Sequence, residues 1–214
     1  MRFVTICLIG TGYMAGQPAA PEPYHHTVYE DARVRILEVP LESHGPAAPH
    51  RHDTDLVWVN GTEIHFSRAN VLHAERNNEV IIELLQPQTS PHNVCGEILP
   101  GEYLHCHEPG SEWLGANLQM QFETDQTRFG ILQIAPNAKL AVPPADVAPL
   151  LIALEGTEAE AISRANGATA GSGSRRTLKT SDVVRYPADQ VTEIQNAGKT
   201  AARFLIVEFG GPGE

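Results

Sequence analysis

The chain is short of positive charge. Lys and Arg together number 15 against 26 Asp and Glu, a formal net charge of −11. Nucleic acid is bound through cations that neutralise phosphates, so this balance argues against a nucleic-acid partner, and equally against an anionic membrane surface. Aromatic residues are also scarce, at 6%, although 42% of the chain is apolar, enough for real cores. After the N-terminus no apolar run approaches the ~20 residues that span a bilayer. Helical periodicity is nearly absent; only Ala159–Arg164 could make a turn of helix. No Gly-x-Ser-x-Gly elbow and no Gly-x4-Gly-Lys loop occurs, which removes the usual nucleophile and phosphate-cradle signatures.

Cysteine is rare too, at three residues, Cys7, Cys95 and Cys106. The first lies in a segment that reads as a signal peptide over residues 1–23: Arg2, an apolar core Phe3–Ile9, then small residues at Ala15, Gly16, Ala19 and Ala20. On that reading the mature protein is periplasmic or secreted, and Cys95 and Cys106 remain as an even pair able to form a disulfide. The alternative is a cytoplasmic protein with two unpaired thiols. Gly10-Thr-Gly12-Tyr-Met-Ala15 imitates a nucleotide-binding fingerprint, but the Pro-rich run that follows supplies no helix, so the fingerprint has no context.

What the chain does have is histidine in a telling place. His50 and His52 flank Arg51 just ahead of the apolar run Leu56–Val59, and His73 precedes a second run, Val80–Leu85. Alternate residues of an extended chain point to one side, so His50 and His52 can aim two imidazoles at one point, and a neighbouring strand can bring the third. Three imidazoles suit one divalent metal ion, Fe, Mn, Ni or Zn. A second group, His92, Cys95, His105, Cys106 and His107, lies in the Pro-rich middle and matches no strong zinc spacing. Glu63 and His65 alternate onto a common face, read here as solvated, and Trp58 reads as core or wall. The loop 166–174, with Ser172, Ser174, Arg175 and Arg176 at its end, reads as a flexible hairpin tip.

The chain also repeats itself. Asp31-Ala-Arg33-Val-Arg-Ile36-Leu37 reads against Gln126-Thr-Arg128-Phe-Gly-Ile131-Leu132 at an offset of 95, and Leu56–Gly61 falls on Leu151–Gly156 at the same offset. His73-Ala-Glu-Arg-Asn77 falls on Thr192–Asn196 at 119, and Ile82-Glu83-Leu84 on Val207-Glu208-Phe209 at 125. Each copy is a string of short Val/Ile/Leu runs punctuated by Gly, Pro and Asn, the pattern of antiparallel sandwiches and jelly rolls.

This pattern resembles the cupin superfamily, in its two-domain bicupin form. The first cupin motif is matched by His50-Arg-His52, Asp55 and Gly61. The second is matched by His73 and Asn77, with Arg68 and Asn70 in place of its Pro and Gly. The resemblance implies an all-β fold of two tandem cupin-like jelly-roll domains, over 24–88 and 115–210, joined by a linker over 89–114. The first domain is 24 residues shorter between its motifs, hence truncated or incomplete. It implies a metal on His50, His52 and His73, with Asp55 as a fourth ligand or an outer partner. In the second copy Ala145, Val147, Leu150 and Thr192 stand where those four residues stand, so no metal is expected there. The implied activities are metal-dependent chemistry on a small-molecule ligand, of dioxygenase, isomerase or lyase type. The opposing class is a non-catalytic binding or structural bicupin with a vestigial site. A homodimer is a further family-based expectation.

Overall fold

The structure is a computed structural model. It describes residues 25–39, 48–61, 63–75, 79–94, 97–99, 102–103, 118–142, 149–154, 157–165, 173–185 and 190–210. The segment read as a signal peptide, and Cys95, His105, Cys106 and His107, lie outside the described residues. The described residues are all-β, and every named ladder is antiparallel.

The first half forms β1 (His26–Glu30), β2 (Val34–Val39), β3 (Asp55–Asn60), β4 (Glu63–Ser67) and β5 (Glu79–Leu84). Three short strands follow: β6 (His92–Asn93), β7 (Glu97–Leu99) and β8 (Glu102–Tyr103). The second half begins with β9 (Leu118–Glu123), β10 (Thr127–Ile134), β11 (Lys139–Val142), β12 (Leu150–Ala153) and β13 (Ala159–Ala165). It ends with β14 (Ser174–Leu178), β15 (Val183–Arg185), β16 (Gln190–Asn196) and β17 (Ala202–Phe209). Strand β13 occupies the stretch expected to be helical at most. Ala159 and Ala161 alternate into a core there, a period of two that three small residues and a charge hid from the sequence.

From β10 to β17 the chain crosses between two sheets at every step except the β13–β14 hairpin. One has the order β15-β12-β17-β10, extended by β9 and β6; the other is β11-β16-β13-β14. This is the eight-stranded jelly roll, two Greek keys closed over one core. That core holds Leu132, Leu151, Phe204 and Ile206 from the first sheet against Ala161, Leu178 and Ile194 from the second.

The five-stranded sheet of the first half, β4-β3-β5-β2-β1, repeats the order β15-β12-β17-β10-β9 strand for strand. Among the described residues of the first half no strands match β13 and β14. Instead β3 turns straight into β4 after the Asn60↔Glu63 pair, and Gly61 in that turn sits at φ +62, left-handed backbone that glycine adopts without strain. Of the second sheet, the described residues retain one antiparallel bridge, His50↔His73.

The ladders also correct the repeat's register. Val34↔Leu84 recurs as Thr127↔Phe209, and Val57↔Ile82 as Leu150↔Val207. The early strands are therefore offset by 93, not 95, while the offset of 125 stands. Two residues are one full strand period, so the slip leaves every side chain on its proper face, and hydrophobic pattern alone cannot detect it. Hydrogen bonds agree. At the β1–β2 corner Asp31 Oδ1 accepts from the backbone N–H of Arg33 and Val34, and at the β9–β10 corner Thr124 Oγ1 accepts from Gln126 and Thr127. Glu30, Arg35 and Glu83 form an ion-pair triad that recurs as Glu123, Arg128 and Glu208.

The two halves share a second core. Val34, Ile36, Val57, Val80, Ile82 and Leu84 pack against Phe122, Phe129, Ile131, Leu150, Ile152, Leu205 and Val207. The six-stranded sheet is thus covered on both faces, which explains why β12 reads Leu-Leu-Ile-Ala with no polar alternation. Arg33 lies 3.7 Å over the Phe209 ring, and Ser181 donates to Glu38, tying the sheets at their margins. The face of the first sheet turned away from this core carries Arg35, Leu37, Leu56, Trp58, Ile81 and Glu83.

Candidate metal centre

The cluster forms on that outward face. His25 comes from the residue before β1, His50 and His52 from the approach to β3, and His73 and Glu75 from the approach to β5. His50 and His73 exchange both backbone hydrogen bonds, at 2.9 and 3.1 Å, and Asn70 N–H donates to the His52 carbonyl at 2.8 Å. These bonds bring the two histidine-bearing segments side by side. Alternation then turns His50 and His52 inward on one side, and His73 and Glu75 on the other.

Ligand atoms of His25, His50, His52 and Glu75 all lie within 4.8 Å of one another. Donors bound at about 2.1 Å to one ion stand at most about 4.2 Å apart, so the group can close on a metal with small side-chain shifts. The ring protons make the stronger argument. His50 Nδ1 donates to the Ala48 carbonyl at 2.9 Å, and His52 Nδ1 donates to Glu83 Oε1 at 2.6 Å. Each bond fixes the proton on Nδ1 and makes Nε2 the lone-pair nitrogen. Those two Nε2 atoms face each other at 3.2 Å. Two lone pairs so placed repel unless a cation lies between them or one ring takes a second proton.

Glu75 Oε1 lies 3.1 Å from His73 Nε2, 3.4 Å from His50 Nε2 and 3.5 Å from His25 Nε2. Burial pushes the Glu75 carboxyl up, but the imidazoles of His25 and His73 facing it, with His50 beside them, outweigh that and hold it well below the usual range. His25 Nε2 and Glu75 Oε2 are buried without a hydrogen-bond partner among the described residues. Orphaned buried polar atoms are rare in folded proteins, and here both belong to residues of the cluster that could hold a metal ion. The donor set, imidazole nitrogen with one carboxylate, fits a divalent transition metal.

Behind the cluster, Glu83 passes the charge on. Its second oxygen accepts from Arg35 at 2.8 Å, and Arg35 also binds Glu30. Burial works to raise Glu83, and the bonds from His52 and Arg35 bring it below its ordinary value. Beside the cluster a cleft of about 70 Å³ is lined by Leu56, Trp58, His73, Ala74, Glu75 and Ile81.

His50, His52 and His73, singled out from sequence, therefore converge, while Asp55 stands elsewhere. It binds Arg68 at 2.7 Å and the Ala69 N–H at 2.9 Å, bracing the turn that ends at Asn70. The acid inside the cluster is Glu75. His65 stacks on Trp58 at 5.3 Å, on the same face as the cluster, and Glu63 is largely solvent-exposed. Of the Pro-rich group, His92 pairs with Glu123 at 2.8 Å. Thr192 in the second half is fully buried, beside Ser163. Sequence reasoning missed His25, a residue distant from the motif. It also missed Glu75, which the same two-residue alternation from His73 could have flagged.

No family model matches the chain, and no curated protein matches it. Among solved structures it is similar to AerE from Microcystis aeruginosa, at 9% identity, over 87% of this chain and 97% of that one, with a TM-score of 0.45. It is similar to Drosophila melanogaster CENP-C bound to CAL1, at 14% identity, over 44% of this chain and 72% of that one, with a TM-score of 0.38. A cupin domain from Bordetella pertussis matches at 10% identity, over 44% and 92% of the two chains, with a TM-score of 0.34.

Proposed function

We propose that the chain is a bicupin with a shortened first domain, and that this domain holds one divalent metal ion on His25, His50, His52 and Glu75 and acts on a small molecule in the adjoining cleft. The observation that carries this reading is the 3.2 Å approach of the His50 and His52 Nε2 atoms, with both Nδ1 protons committed elsewhere. Three imidazoles and one carboxylate leave an ion of Fe, Mn, Ni or Zn with one net positive charge and coordination positions for a ligand. A bound ion would supply Lewis-acid polarisation of a donor oxygen, or dioxygen chemistry if it is iron. His73, hydrogen-bonded to Glu75 and lining the cleft, is placed to orient that carboxylate and to meet the incoming molecule.

Elemental analysis of the purified protein beside the His50→Ala/His52→Ala double variant tests this. About one metal per chain, lost in the variant, supports the reading and opens screening of oxygen uptake and small-molecule turnover. No metal after incubation with Fe, Mn, Ni and Zn rejects it in favour of a non-catalytic two-domain binding protein.

A further inference from the structure

Strand β6, in the linker between the two halves, is fastened by a histidine. It pairs with β9 through His92↔Glu123 and Asn93↔Phe122, and the Val94 N–H extends the ladder to the Gln121 carbonyl at 2.9 Å. His92 Nδ1 lies 2.7 Å from the Ser90 carbonyl, and His92 Nε2 lies 2.8 Å from Glu123 Oε1. A carbonyl and a carboxylate only accept, so both ring nitrogens must donate, and only the imidazolium does so. A neutral ring keeps one of these bonds and sets a nitrogen lone pair against an oxygen in the other.

The charge has a built setting. His92, Glu123, Arg128 and Glu208 form a chain of alternating sign across β6, β9, β10 and β17, with gaps of 2.8, 3.3 and 3.8 Å. Asp125, at the β9–β10 corner, adds a further negative charge near His92. It accepts from the Thr89 and Ser90 hydroxyls at 2.7 and 3.0 Å. Ser90 sits at φ +50, left-handed backbone that is strained for any residue but glycine, so these bonds hold the segment against its own preference. Val94, two residues beyond His92, packs against the jelly-roll core that contains Leu118 and Met120 of β9. The bond to the Ser90 carbonyl, joined by the Glu123 carboxylate, raises the His92 pKa above the ordinary histidine value although burial works against it.

We propose that β6 is a proton-operated strap on the second jelly roll: doubly protonated His92 pins it to β9, and loss of one ring proton lets it lift and withdraw Val94 from the core. A histidine whose pKa is higher in the closed state stabilises closure in full below its open-state value, about 6.5, and that contribution is gone above the closed-state value. The strap is therefore tight in mild acid and loosens as pH rises between the two. It belongs to the metal-free half and is independent of the metal reading.

Nuclear magnetic resonance of the full chain tests this, with the His92 ring followed against pH and amide exchange read as protection factors, which remove the intrinsic pH dependence. The ring should titrate with a midpoint above about 6.5. Protection of the Val94 amide should fall across that midpoint, by a factor of about ten for each pH unit by which the midpoint exceeds the open-state value. Leu151, fully buried, should keep its protection. His92→Gln, at an exposed position, should leave Val94 protection flat over the same range. A midpoint at or below the ordinary value, a fall at Leu151 equal to that at Val94, or a pH-dependent Val94 amide in the glutamine variant overturns the proposal.

Discussion

Glu83 holds His52 by the ring nitrogen that faces away from the cluster, at 2.6 Å, and Arg35 anchors Glu83 from the other side at 2.8 Å. An outer carboxylate of this kind fixes the imidazole tautomer and raises its basicity as a ligand. Glu83→Gln should therefore weaken metal binding by ~10–100-fold, with the fold retained. Competition against a chelator of known affinity measures it. Glu208→Gln, at the equivalent place in the second half, should leave metal affinity unchanged; a similar loss in both variants would mean that Glu83 acts through general stability.

Asp55 and Glu75 should separate cleanly on substitution. Glu75→Gln removes a charged ligand and should abolish stoichiometric metal. Asp55→Asn loses the Arg68 pair and weakens the Ala69 contact, costing on the order of 1 kcal/mol of stability with metal content unchanged. Urea denaturation and elemental analysis on the same preparations decide. Metal lost from the Asp55 variant alone would move the site to the acid expected from the sequence motif.

The β1–β2 corner carries an acid-sensitive element. Burial opposes ionisation of Asp31, but hydrogen bonds from the Arg33 side chain, the backbone N–H of Arg33 and Val34, and the Tyr29 hydroxyl lower its pKa from 3.8 to about 2. A carboxyl whose folded pKa is depressed contributes stability in full above its unfolded value, and the contribution is lost as pH falls through the folded one. Stability should thus decline between about pH 4 and pH 2, with a contribution from this group of about 1–2 kcal/mol. Asp31→Asn should lose that amount at neutral pH and show a shallower acid slope in unfolding measured across this range.

Phe129 is fully buried where the two halves meet, 6.0 Å from Phe122, which stacks on Phe66 of β4 at 5.0 Å. Phe129→Ala should cost about 3–5 kcal/mol. Because its ring serves the core common to both halves, near-ultraviolet circular dichroism and metal release should report one coincident transition in denaturant. Metal release well before loss of the aromatic signal would show that the first sheet detaches alone.

The repeat, the all-β architecture and the meeting of His50, His52 and His73 were legible because strand patterning has a period of two and the histidines obey it. The same period hid the true register: offsets of 93 and 95 place Ile36 against Phe129 or Ile131, and both face the shared core. His25 was not legible because a residue brought in from outside a motif leaves no spacing to read. In the sequence Glu83 stands out only as part of the match of Ile82-Glu83-Leu84 to Val207-Glu208-Phe209. Its partnership with His52 spans 31 residues and depends on a ladder pairing that composition does not encode. That the described residues of the first half hold no counterparts of β13 and β14 was visible as a length difference. That its remaining sheet would close against the outside of the second jelly roll was not, since the apolar residues on both faces of β5 and β12 suit either a private core or a shared one.

The six-stranded sheet, buried on both sides, sets the order in which the molecule can breathe. Deuterium should reach the amides of Ile131, Leu151 and Ile206 last, since their exposure needs two cores to part. The segments that carry His50, His52 and His73 hang on a few backbone bonds at the outer face, so their amides should exchange early. An ion or ligand could then enter and leave through local opening, on a clock independent of global unfolding, while the barrel behind stays shut.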